Sequence, residues 1–120
     1  MKKNISPHVN IYKFPNTAIS SISTRLSGLY LTGVFIGGGL YCLKGNNLEE
    51  KYNSLSNFQK RLVNMSLIVP STYHTLGGLR HFIWDKYPKL LQNSKVAKSS
   101  YALFGVTILS SLLIEQMIKN

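Results

Sequence analysis

Acidic side chains are scarce in this chain. Four Asp and Glu stand against fourteen Lys and Arg among 120 residues, leaving a net charge of +10. Such a balance suits nucleic acid, an anionic membrane surface or an acidic partner. Nucleic acid drops out, because the cations are spread over every polar segment and form no cluster interleaved with stacking aromatics. The single cysteine, Cys42, excludes an internal disulfide and reads as a small apolar residue. Only three of the cations are arginine, while Lys, Asn and Ile abound; this composition hints at an AT-rich coding genome, as an organelle or some bacteria would supply. No internal repeat is visible. Residues 1–25 lack an apolar core with a small-residue cleavage site, and they lack an Arg-rich amphipathic pattern, so neither a signal peptide nor a transit peptide is expected there.

Charge is also missing from three long stretches. Residues 26–43 lie between Arg25 and Lys44, residues 62–79 between Arg61 and Arg80, and residues 99–114 between Lys98 and Glu115, giving uncharged runs of 18, 18 and 16 residues. A bilayer core takes roughly 20 mostly apolar residues per helix, and snorkelling Lys and Arg make up a small shortfall. The expected fold is an all-α membrane protein with three transmembrane helices. One membrane-anchor domain covers residues 1–120, with spans at roughly 22–43, 62–84 and 97–118. A soluble three-helix bundle is the alternative, since the mean hydropathy is only +0.01. It would, however, carry charges every few positions along an outer face. These runs carry none. Nine cations (Lys2, Lys3, Lys13, Arg25, Arg80, Lys86, Lys89, Lys95, Lys98) fall on one side of such a topology and five (Lys44, Lys51, Lys60, Arg61, Lys119) on the other. The positive-inside rule then sets the N-terminus on the matrix or cytoplasmic side.

Polar groups inside the second run are the candidates for chemistry, because they are expensive in lipid. On a helix, His74, Gly77, Gly78, His81 and Asp85 share one stripe, while Leu76, Leu79 and Ile83 point the opposite way. An axial imidazole beside small residues suits a flat haem. His74 and His81 sit about 10.5 Å apart along one face, so they cannot clasp one iron from both sides. The only other histidine, His8, lies in the polar N-terminal segment, and a second ligand is expected from another chain. Pro70 should free the carbonyl of Ser66 and bend the helix locally. In the first run, Gly33 and Gly37 make a small-xxx-small pair suited to close helix contact. Ser21 and Arg25, one turn apart with Gly28 below them, put a hydroxyl and a guanidinium at the inner membrane boundary. By residue type alone, Arg25 reads first as an anchor to lipid phosphate.

Ser6-Pro-His-Val-Asn-Ile-Tyr-Lys13, Ser21-Ile-Ser-Thr-Arg25-Leu-Ser-Gly28 and His74-x3-Gly-Leu-Arg-His-Phe-x-Trp-Asp85 together resemble the cytochrome b subunits of succinate dehydrogenase, the larger membrane anchors of respiratory complex II. The likeness runs through the whole chain in order. Three positions depart from the family pattern: an Arg-Pro often found before the first motif is missing, Tyr87 replaces a usual small residue, and Thr24 stands where the family often has a histidine assigned to a haem propionate.

The resemblance implies a three-helix anchor that pairs with a second small anchor subunit and docks an iron–sulfur subunit and a flavoprotein subunit on the matrix side. The two anchors share haem b and form a ubiquinone pocket. It implies that His74 is the axial ligand of the haem iron, with Gly77, Gly78, Arg80 and His81 in the haem surroundings, and that Ser21 and Arg25 contact quinone. No residue of this chain is expected to be catalytic by itself, since the redox chemistry belongs to cofactors in other chains. The mitochondrial inner membrane is the expected location, with a bacterial plasma membrane as the alternative. Two other classes remain open on the residues alone. One is a non-catalytic haem-binding assembly factor; the other is a small transporter subunit relaying protons through His74 and His81.

Overall fold

A computed structural model describes residues 15–119; the Ser6–Lys13 motif and His8 lie outside the described residues. Four α-helices follow in order: α1 Asn16–Leu43, the short α2 Leu48–Asn53, α3 Asn57–Lys86 and α4 Asn93–Lys119, with a 3-10 turn at Pro88–Leu91 before the last. Among the described residues there is no strand. Helices of 28, 30 and 27 residues are about 40–45 Å long, enough for the hydrocarbon core and both headgroup layers. By length and composition, α1 and α4 are apolar enough to cross a membrane. The third long helix is less so, because its first turns carry Asn57, Gln59, Lys60, Arg61 and Asn64 and its last turns carry Arg80, His81, Asp85 and Lys86.

Local chemistry sets the ends. Ser56 and Gln59 form a reciprocal capping box, Ser56 Oγ accepting from the Gln59 amide and Gln59 Oε1 from the Ser56 amide, which ties two otherwise unpaired donors. Asn47 caps α2 through the Glu49 amide at 3.0 Å. Past the end of α1 the chain turns at Gly45, whose φ of +82° is strained for any residue with a Cβ. Pro70 sits within α3, which continues through it.

The interior is small and polar, and the exterior is large and apolar. Ser20, Thr24 and Ser27 of α1 meet Tyr73, Gly77 and Arg80 of α3, with Ser100, Leu103, Thr107 and Ser111 of α4 completing the seam. Only Tyr73 and Leu103 are buried large hydrophobic residues among those described, whereas Leu29, Phe35, Phe82 and Met117 are each more than 70% exposed. Water drives the reverse arrangement. In lipid it is reasonable, because small side chains let helix backbones approach and hydroxyls bond within or between helices. The soluble-bundle alternative therefore fails on the distribution of its own side chains.

Most of the interior hydroxyls return to their own helix. Thr24 Oγ1 donates to the Ser20 carbonyl, Ser27 Oγ to Thr24, and Thr107 Oγ1 to Leu103, at 2.7–3.0 Å. Fewer links cross between helices: Tyr73 OH to the Ser20 carbonyl at 3.2 Å, Thr72 Oγ1 with Ser111 Oγ at 3.0 Å, and Asn16 Nδ2 to Tyr101 OH. At the opposite end Arg61 pairs with Glu115, Nε to Oε1 at 2.7 Å. At the Gly33/Gly37 pair, expected to serve close helix contact, an added Cβ would meet nothing within 4 Å among the described residues. That face is open.

Candidate functional site

The antiparallel packing of α1 on α3 is closest where glycine allows it. A Cβ on Gly77 would lie 2.9 Å from the side chain of Thr24, and a Cβ on Gly28 only 2.6 Å from Cε1 of His74. Distances below 3.0 Å admit no side chain without displacement, so each helix supplies one glycine to the other. The His74 ring thus lies against bare backbone of α1.

Its hydrogen bonds fix the ring further. His74 Nδ1 is 3.0 Å from the Thr24 carbonyl, which can only accept, so Nδ1 carries the proton and donates. Ser27 Oγ, itself donating to the same carbonyl at 2.7 Å, lies 3.4 Å from Nδ1. In the neutral tautomer this leaves Nε2 as the bare nitrogen, and no described residue bonds it. A backbone carbonyl on one ring nitrogen, fixing the tautomer and aiming the other nitrogen outward, is the usual support of a metal-ligating histidine. The imidazole remains an exposed group of this chain.

Gly28 also links this histidine to the expected polar pair. On α1, Ser21, Arg25 and Gly28 occupy one stripe, so the edge of α1 that carries Ser21 and Arg25 is the edge against which His74 lies. Ser21 is half-buried and Arg25 exposed, and neither bonds a described residue.

The glycine stripe expected on α3 divides. Gly77 is buried against Thr24, while Gly78, one residue and about 100° further round, has nothing within 4 Å. The small size of Gly77 therefore serves helix packing directly. His81 is exposed and meets the Trp84 ring edge-on at 5.3 Å.

Arg80 turns inward. It is only 9% exposed, with Nη1 donating to Ser100 Oγ at 3.0 Å and Nη2 to Ser20 Oγ at 2.9 Å. Its guanidinium carbon lies 4.5 Å from the centre of the Trp84 ring. One cation thus joins all three long helices, and its Nε alone is buried without a partner. The readings of Arg80 as the bracket of an uncharged run and as part of the haem surroundings did not anticipate these bonds to serines of α1 and α4. Nor were Thr24, Ser27, Ser20 and Ser100 singled out as supports, although the spacing of Ser20, Thr24 and Ser27, by four, three and seven, marks one face of α1.

The close approach makes a measurable prediction. Gly28→Ala should push the His74 ring off its carbonyl partner at an overpacking cost of about 1–3 kcal/mol; where the haem that the resemblance implies lies against this ring, its content should fall and its spectrum shift. Gly33→Ala, with open space around it, should change neither. Equal spectra in both variants would mean that the His74 position tolerates displacement.

The model of one protein family, described as the succinate dehydrogenase/fumarate reductase transmembrane subunit, matches residues 1–114. The chain is similar to a Dictyostelium discoideum protein named mitochondrial succinate dehydrogenase cytochrome b560 subunit, 32% identical over 117 residues that make up 90% of this chain and 58% of that one. A Bos taurus protein of the same name is 30% identical over 121 residues, 93% of this chain and 69% of its own length. A Porphyra purpurea succinate dehydrogenase cytochrome b560 subunit is also 30% identical over 121 residues, 93% of this chain and 94% of that protein. The chain thus spans under three fifths of the slime-mould relative and nearly all of the algal one. With a match over nearly its whole length, and with small polar residues packed inside an apolar exterior, the chain belongs to the succinate dehydrogenase/fumarate reductase transmembrane subunit family.

Proposed function

We propose that this chain is a membrane anchor of a succinate dehydrogenase complex, in which it helps to hold haem b and ubiquinone while electrons from succinate oxidation pass to the quinone pool. Its partners in this reading are a second small anchor subunit, an iron–sulfur subunit and a flavoprotein subunit. The membrane is the mitochondrial inner membrane; the names of the slime-mould and bovine relatives carry the word mitochondrial. All three long helices cross it. The third crossing, α3, is less apolar than its neighbours, but its length of 30 residues and its Arg80, turned inward onto serines, support a full span.

The observation that carries the reading is His74: an exposed imidazole held at Nδ1 by the Thr24 carbonyl, with no described residue bonded to Nε2. His74 is the axial haem ligand from this chain, and the second ligand comes from the partner anchor. Thr24 and Ser27 orient the ring, while Gly28 gives it room. Gly78 and His81 border the same face. Gly77 and Arg80, buried in the helix seam, support that face from behind. The haem, when bound, supplies a one-electron carrier. Ser21 and Arg25 supply donors to quinone carbonyl oxygens, at a depth where an amphipathic quinone head stops with its tail in lipid.

A reduced-minus-oxidised absorption spectrum of the purified membrane complex, read together with its subunit composition, tests the proposal. A b-type spectrum with stoichiometric flavoprotein and iron–sulfur subunits is expected. Haem without a dehydrogenase would favour an assembly factor, and a dehydrogenase without haem would remove the His74 role. Topology gives a second check, from the nine-to-five split of cations. A tag at residue 1 should be reachable only from the matrix side and one at residue 120 only from the opposite side; both ends on one side would defeat the three-span topology.

A further inference from the structure

Ser20, the neighbour of Ser21 on α1, is fully buried, and both other long helices hold it through one guanidinium. Arg80 of α3 donates from Nη2 to Ser20 Oγ at 2.9 Å and from Nη1 to Ser100 Oγ of α4 at 3.0 Å. Tyr73 completes the cluster: its hydroxyl lies 3.2 Å from Ser20 Oγ and donates to the Ser20 carbonyl at 3.2 Å. A guanidinium only donates and a carbonyl only accepts, so the order of protons follows. The Ser20 hydroxyl accepts from Arg80 and donates to Tyr73, and Tyr73 donates to the Ser20 carbonyl. Ser100 Oγ in turn donates to the Val96 carbonyl at 2.9 Å.

Little else sets the rotation of α1 at this level. The buried side chains of α1 are Ser20, Thr24 and Ser27, too small to interlock, and the hydroxyls of Thr24 and Ser27 donate within their own helix. The Asn16 link to Tyr101 lies one turn before Ser20, and the Thr24 link to His74 one turn after. Rotation matters because Ser21 and Arg25 stand about 100° and about 140° round α1 from Ser20. Side-chain ends lie about 5–6 Å from a helix axis, so a turn of about 10° moves them by about 1 Å. A displacement of that size at a reacting group costs up to roughly a hundredfold in rate.

We propose that Arg80 is a positioning residue for quinone: its fork, splayed between Ser100 of α4 and Ser20 of α1, holds α1 at the rotation that presents Ser21 and Arg25 to the quinone head. This role rests on the reading of Ser21 and Arg25 as quinone donors. Stability is a poor reason for such a group, because no carboxylate among the described residues pairs with Arg80 and the cost of desolvating its charge is offset only by hydroxyls. A planar fork with two fixed directions supplies register instead.

The test uses the complex purified with its partners and a soluble short-chain ubiquinone. Ser20→Ala removes one hydroxyl and almost no volume. It should raise the quinone KM about tenfold, while haem content, subunit composition and succinate oxidation by an artificial acceptor stay unchanged. Arg80→Lys keeps the cation without the fork and should do the same; where it fails to assemble, the Ser20 variants decide. Ser111→Ala, which removes a bond between α3 and α4, should leave the KM at its wild-type value. A double-mutant cycle separates positioning from general loosening. Ser21→Ala should lower kcat/KM for quinone up to about tenfold in the wild-type background but less than about threefold in Ser20→Ala, because a displaced hydroxyl has little left to lose; independent effects would multiply. Multiplying effects, a wild-type KM in Ser20→Ala or in an assembled Arg80→Lys, or a KM raised equally by Ser111→Ala would each overturn the positioning role alone. Unchanged turnover in both Ser21→Ala and Arg25→Ala would overturn the quinone reading and the positioning role together.

Discussion

His74→Ala should assemble into the complex yet lose the low-spin b-type spectrum, or convert it to that of a five-coordinate haem. No other described residue can replace the ligand: His81 lies about 10.5 Å further along the helix, against Trp84. His81→Ala should therefore leave a six-coordinate haem with a shifted spectrum. Thr24 supplies a finer check, because it holds His74 by its backbone carbonyl, a group that survives side-chain replacement. Thr24→Ala should keep the haem. A larger residue at Thr24 should lose it by colliding with Gly77, since the threonine side chain already comes within 2.9 Å of where a Cβ on that glycine would stand. An unchanged spectrum in His74→Ala would defeat the ligand assignment. Loss confined to His81→Ala would move it two turns along the helix.

Arg25→Ala should abolish most succinate-to-quinone turnover while succinate oxidation by an artificial acceptor at the flavoprotein persists. Ser21→Ala should do the same more mildly. Removing a neutral hydrogen bond costs roughly 0.5–1.5 kcal/mol and a charged one roughly 1.5–3 kcal/mol, so the loss should reach about tenfold for Ser21 and about a hundredfold for Arg25. Arg25→Lys keeps the charge without the planar fork and should restore only part of the activity. Arg25 is exposed and bonds no described residue, so its removal breaks no hydrogen bond among the described residues. If Arg25→Ala reduces quinone at the wild-type rate with an unchanged KM, Arg25 anchors lipid phosphate and the pocket lies elsewhere.

The three uncharged runs fall inside α1, α3 and α4, because lipid excludes charge from the same stretches that must be helical. Helix ends were less legible. The first long helix starts at Asn16, ahead of the expected span, and α3 starts at Asn57 on its Ser56–Gln59 capping box. Brackets of Lys and Arg mark where the bilayer begins, whereas caps mark where the helix begins, and the two differ by one or two turns. The short α2 lies in a polar connection where no hydrophobic period could announce it. Within the site, the Ser21, Arg25 and Gly28 stripe followed from helical geometry alone. The meeting of Gly28 with His74 did not, because it depends on the register of two helices separated by 46 positions (74 minus 28). Gly77 and Gly78 looked alike in sequence, but a step of about 100° sends one into Thr24 and the other into the open. Arg80 was legible as a charge at the end of a run, and its inward turn became visible only once Ser20 and Ser100 stood beside it to accept its protons.

That seam of serines and threonines also shapes how the helices respond to heat. In water, separating packed elements wets apolar surface, and the resulting rise in heat capacity curves the stability against temperature. In the proposed three-span topology the outer surface already faces hydrocarbon, and parting α1, α3 and α4 within the bilayer wets almost nothing further. The heat-capacity increment of helix separation is accordingly small. The free energy that joins the helices falls along a nearly straight line on warming, with no shallow maximum and no weakening in the cold.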